Sequence, residues 1–339
     1  MTAKFGRCSD TSIHGRFRTM TTDWRMAPVG NPWGLLAACC TAVRIATGLI
    51  VSPAASQTTA LMSIQVFANH AHVFPGSVNP EGTLDRLQKL MDACGISGQV
   101  CFAPFAHQVA AHGMHHNEWL AKEIASRKRL HGFGTVDFRH HVDKQCVPDQ
   151  IKRIRDLGLR GIKLHPNAQE FDILAPEAME AYAAAEKLGL FVTFHSGVHA
   201  YRISHYHVLK FDEVAEKFPN LAFSLEHLGG YSFFQEALAV IVNRIPFPPI
   251  PGKRCMVYGG LTSVFTPHFC RFWYMPKDRL IEAVAQATPD QLIFGLDFPY
   301  NLEENTKQGL RALRELGLPE ADLAKILGGN LRNALKLAV

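Results

Sequence analysis

From residue 62 onward the chain repeats one pattern eight times: a short apolar run followed by a longer amphipathic one. The short runs fall at 64–70, 98–103, 131–137, 160–165, 190–195, 221–227, 254–259 and 291–297. The longer runs follow at 82–94, 117–129, 147–157, 176–188, 208–217, 231–243, 277–287 and 303–316. In the first of them Leu84, Leu87, Leu90 and Met91 form a stripe opposite Asp85, Arg86 and Lys89, the spacing of an amphipathic helix. Gly158 and Gly189 stand where a glycine closes a helix. Strands alternating with helices specify a parallel sheet covered by helices. Eight such units in about 278 residues match a closed (β/α)8 TIM barrel in number and size. An open doubly wound sheet is the rival, but no G-x-G-x-x-G follows a strand and no P-loop motif occurs.

A barrel of this kind carries its chemistry at the C-terminal ends of its strands. The first strand ends Asn69-His70-Ala71-His72, and a two-residue period places His70 and His72 on one face. The fourth ends Lys163-Leu164-His165, with Lys163 and His165 sharing a face. The fifth ends on His195, the sixth on Glu226-His227 and the eighth on Asp297. Each alone has an ordinary structural explanation, as a hydrogen-bonded rim residue or a turn cap. The 17 histidines would give about one H-x-H triplet by chance, and His205-Tyr206-His207 is a second one in an expected loop. Five of eight strands ending in His or Asp in phase with the lumen is a joint pattern. Imidazoles with one carboxylate suit a divalent transition metal that keeps an open coordination position.

These residues resemble the metal-dependent amidohydrolase superfamily, in the branch that includes aminocarboxymuconate semialdehyde decarboxylase. The resemblance spans 62–339. It rests on Asn69-His70-Ala71-His72, on 161–166 around Lys163 and His165, on Phe194-His195, and on Glu226-His227-Leu228-Gly229-Gly230. It rests further on Phe294-Gly295-Leu296-Asp297-Phe298-Pro299 and the closing Ile326-Leu327-Gly328-Gly329-Asn330. It implies that His70, His72, His195 and Asp297 hold Zn2+ or Mn2+, with one ion or two left open. It implies that Asp297 and His227 serve as the acid and base. Lys163 corresponds to a strand-four lysine that is carboxylated in some superfamily members, or else pairs with a neighbouring carboxylate. His165 would orient substrate, and Arg202 and Arg271, in loops after strands five and seven, are candidate carboxylate clamps.

Three functions follow for comparison. The first is hydrolysis of an amide, ester or lactone of a small molecule by metal-activated water. The second is non-oxidative decarboxylation of an aromatic or unsaturated carboxylate, for which the aromatic stretch 265–274 would line a planar pocket. The third is a non-catalytic binding barrel, which predicts a broken ligand set; no ligand is missing.

The formal charge of +5 invites a nucleic-acid partner, but its distribution argues otherwise. Residues 1–61 hold six basic and two acidic side chains, a charge of +4, and the rest holds 29 and 28, a charge of +1. Arg127-Lys128-Arg129 and Arg153/Arg155 read as solvated helix faces. The segment 1–61 lacks periodicity and reads as an irregular leader, an upstream read-through or an export signal ahead of a single catalytic domain at 62–339. Arg44 interrupts its apolar stretch, so no stable membrane span is expected. Scattered cysteines with no C-x-x-C pair fit a reducing, cytoplasmic setting, with export the alternative. A homodimer is the default assembly.

Overall fold

The computed structural model describes residues 64–268 and 271–337. The leader read at 1–61 lies outside the described residues. Eight parallel strands pair in sequence order: β1 Val66–His72, β2 Ile96–Phe102, β3 Leu130–Thr135, β4 Gly161–Leu164, β5 Phe191–His195, β6 Phe223–Glu226, β7 Val257–Leu261 and β8 Leu292–Phe298. Strand β8 returns to pair with β1, Asn69 against Gly295, and closes the barrel. The principal helices are α1 Leu84–Cys94, α2 His116–Ile124, α3 Val147–Asp156, α4 Pro176–Leu188, α5 Lys210–Lys217, α6 Phe234–Asn243, α7 Lys277–Ala287 and α8 Glu303–Arg314. The eightfold alternation expected from the sequence is therefore the architecture observed.

Side chains alternate between two cores, as a pleated strand requires. On β4, Ile162 and Leu164 face outward into the layer shared with the helices, where Ile151 and Ile154 of α3 and Leu87 and Met91 of α1 are also buried. The lumen has its own apolar floor of Phe67, Val100, Phe102, Phe133, Phe191 and Ile293, closed from below by Leu331 and Leu335 of the C-terminal segment. Each fully buried phenylalanine there contributes about 1.5–3 kcal/mol relative to exposure. Polar groups lie above this floor, so the sequence order of the first, fourth, fifth, sixth and eighth strand units, apolar first and His or Asp last, becomes a vertical gradient inside the barrel.

Most boundaries move by a few residues from expectation, and two of the shifts show their cause. The seventh strand begins at Val257, not 254, because its first ladder partner is Phe223 of β6; Arg254 and Cys255 stay in the preceding connection. The second helix ends at Ile124, and Arg127 N–H turns back to the Ile124 carbonyl before β3 begins. The His205 triplet is not simple loop: Ile203–Tyr206 forms a single helical turn with Tyr206 buried.

Candidate active site

Three left-handed residues shape the rim. His70, His227 and Asp297 adopt φ of 66°, 63° and 63°, conformations that cost a non-glycine residue about 1–2 kcal/mol each. Their effect on β1 is visible in the pairing, where the register to β2 shifts between Ala68 and Ala71. Phe67 and Asn69 already point into the lumen; the irregularity at His70 restarts the alternation, so that His70 and His72 point there as well. On β6 the same device brings His227 inward directly after Glu226.

The resulting cluster is tight. His70 Nε2 lies 3.2 Å from His72 Nε2 and 3.4 Å from Asp297 Oδ1, and His72 Nε2 lies 4.0 Å from the same oxygen. Donor atoms around a tetrahedral ion with bonds of 2.0–2.1 Å stand about 3.3 Å apart, so these three fit one face of such a set. The tautomer fits too. His70 Nδ1 is 2.9 Å from Glu226 Oε2 and donates its hydrogen there, which leaves Nε2 as a lone pair directed at the other two atoms. Burial holds His70 and His72 well below the usual histidine range, with the Lys163 charge adding to it, so both rings are the neutral form a metal requires.

Beside this trio stands a second imidazole pair. His227 Nε2 is 3.1 Å from His195 Nδ1, and the ring of His227 lies 5.3 Å from that of His70. His195 stacks on His165 at 3.9 Å, nearly parallel, and His227 stacks on Trp273 at 4.2 Å. Burial, with Lys163 second, pushes His227 down to about 3. Burial raises the Asp297 carboxyl to about 6, against the opposing pull of Ser263 Oγ, which donates to Oδ2 at 2.5 Å. Lys163 is wholly buried 3.3 Å from His70 Nε2, and burial lowers it to about 8 despite the attraction of Glu226 and Asp297.

Seven residues singled out from the sequence thus meet in one place: His70, His72, Lys163, His165, His195, His227 and Asp297. Arg202 and Arg271 do not join them. Arg202 is exposed ahead of Ile203–Tyr206, and the exposed Arg271 guanidinium lies over the Phe272 ring. Trp273 lies in the aromatic stretch 265–274 expected to line a pocket, whereas sequence reasoning missed Glu226, Ser263 and Phe105, whose ring lies against His72 and His165. Glu226 stands in the Glu226-His227-Leu228-Gly229-Gly230 motif, and the signal that could have found it is its phase on β6, which matches Ser224 and therefore the lumen.

No curated protein matches the chain. Among solved structures, it is similar to 5-carboxyvanillate decarboxylase from Sphingomonas paucimobilis, at 15% identity and a TM-score of 0.58 over 81% of this chain and 100% of that one. A dihydroxybenzoic acid decarboxylase from Polaromonas, solved with bound manganese and 2-nitroresorcinol, gives 16% and 0.57 over 80% and 97%. A 2-pyrone-4,6-dicarboxylic acid hydrolase assigned in Pseudomonas putida gives 16% and 0.58 over 81% and 99%. At these identities the likeness bears on the fold. The amidohydrolase family model matches residues 69–337, from Asn69, just before His70, to the last described residue. The chain belongs to the amidohydrolase family.

Proposed function

We propose that this protein hydrolyses a C–X bond, of an ester, lactone or amide type, in a small planar substrate with the help of a divalent ion, Zn2+ in the first instance and Mn2+ as the alternative. The observation that carries this is the convergence of His70 Nε2, His72 Nε2 and Asp297 Oδ1 at the ends of β1 and β8. These three would hold the ion, with His195 as the further ligand from β5. Such an ion supplies Lewis acidity, polarising a substrate oxygen and making water acidic near neutral pH. The chain's own groups do the rest. The Asp297 carboxyl, anchored through Oδ2 by Ser263, takes a proton from the attacking water and returns it to the leaving group. His227, kept neutral by burial and with its Nδ1 hydrogen donated to the Thr262 carbonyl, presents Nε2 as an acceptor for a hydrogen of the substrate or of the attacking water. His165 and Trp273 form flat walls that exclude water and orient a ring.

Decarboxylation is the second reading. The stacked His165/His195 and His227/Trp273 pairs favour it, since they suit an aromatic acid lying flat. Two of the three solved structures compared above are named decarboxylases and one a hydrolase. In this reading the Asp297 carboxyl delivers the proton that replaces the departing carboxyl group. The test is a paired assay: product formation from a panel of lactones, esters and amides, and CO2 release from hydroxybenzoates, each before and after chelation. Hydrolysis that disappears with chelator supports the first reading. CO2 release without hydrolysis replaces it with the second, and full activity in metal-free protein contradicts both.

A further inference from the structure

Glu226 is fully buried at the C-terminal end of β6, where an unpaired carboxylate would cost several kcal/mol. It is not unpaired. Asn69 Nδ2 and Ser224 Oγ donate to Oε1 at 2.8 and 2.6 Å, while His70 Nδ1 and Thr262 Oγ1 donate to Oε2 at 2.9 and 2.6 Å. Four donors from four different positions on β1, β6 and the end of β7 therefore saturate one carboxylate. The arrangement is one-sided: Asn69 gives up its N–H and leaves its own Oδ1 buried without a partner. The neighbouring strand yields space as well, because a β-carbon at Gly260 would fall 2.5 Å from the Glu226 carboxyl. A neutral packing residue would need none of this.

We propose that Glu226 is a positioning residue for the metal centre: by holding the Nδ1 hydrogen of His70 it fixes that ring's tautomer and aims Nε2 at His72 and Asp297. The inference rests on the reading of His70 as a ligand. A carboxylate behind a ligating imidazole fixes ring orientation and raises ligand basicity, and its loss typically weakens metal binding ten- to hundredfold. Thr262 serves as the internal comparison, since it touches the same carboxylate without touching His70 through its side chain.

Co2+ titration of metal-depleted protein, followed by calorimetry and by visible absorption, tests this. Glu226→Gln is expected to bind Co2+ about ten- to hundredfold more weakly with shifted absorption bands, whereas Thr262→Val stays within about threefold of the parent. Binding by Glu226→Gln within about threefold, with unchanged bands, overturns the proposal, as does an equal loss in Thr262→Val, which marks a purely structural network. Should Glu226→Gln fail to fold, Glu226→Asp, which keeps the charge but draws it away from His70, decides by the same criteria. A His70→Ala control separates the two failures. If it binds Co2+ like the parent, the ligand reading itself is wrong; if it loses binding while Glu226→Gln does not, only the positioning role falls.

Discussion

His195 Nδ1 and His227 Nε2 face one another at 3.1 Å although neither carries the hydrogen that would join them. Each ring's other nitrogen is committed to a main-chain carbonyl, His195 Nε2 to Gly197 at 2.9 Å and His227 Nδ1 to Thr262 at 2.8 Å. A carbonyl can only accept, so both hydrogens are spent there and two lone pairs meet across the gap. Burial keeps both rings neutral, His195 further disfavoured by the neighbouring His165. The pair is built to receive a cation or a substrate hydrogen.

From this the roles separate. His227→Ala should keep the ion but lose about a hundredfold or more in turnover, the usual scale for a positioned acid–base or hydrogen-bonding group. His195→Ala should lose ion and turnover together. Elemental analysis after dialysis alongside steady-state rates distinguishes them; equal metal loss in both variants would contradict the division.

Gly260 tests the packing around Glu226. Alanine there puts a methyl group 2.5 Å from the carboxyl carbon, closer than side chains approach, with little room for retreat in a saturated network. Gly260→Ala is expected to destabilise the fold by about 1–3 kcal/mol, as overpacked cores do. Urea denaturation measures it, and stability equal to the parent would show that the network has slack.

His116 makes acid stability predictable away from the site. Its ring is fully buried with Nε2 donating to the Thr135 carbonyl at 3.0 Å, and burial lowers it to about 4 against a partial upward pull from that bond. The folded pKa lies below the unfolded value of about 6.5, so the fold favours the neutral ring. That contribution is complete above about pH 6.5 and is lost as pH falls toward 4, on the order of 3 kcal/mol in all. In His116→Gln, which retains a donor to Thr135, the stability deficit seen at pH 7 should shrink over that window. A deficit constant from pH 7 to 4 would contradict the assignment.

The barrel was legible because its units repeat and because apolar alternation changes period between strand and helix. The histidines and Asp297 were legible because they end apolar runs. What escaped has a common cause: a side chain's partner across the barrel is set by three-dimensional register. Glu226 reads locally as one polar residue in Phe223–Glu226, and only closure of β1 against β8 brings His70 and Asn69 onto it. The left-handed turns at His70 and His227 were likewise hidden, since neither is a glycine. Arg202 and Arg271 are clamp candidates from loop position alone, and loop geometry leaves both exposed.

The proposed chemistry depends on an ion held by His70, His72 and Asp297, whose ligand atoms lie close enough together to share one. Its most direct test is the metal content of the purified protein beside that of a His70→Ala/His72→Ala double variant, both confirmed folded by circular dichroism. The parent should carry stoichiometric Zn2+ or Mn2+ and the double variant almost none. Unchanged metal content in the double variant would contradict the site.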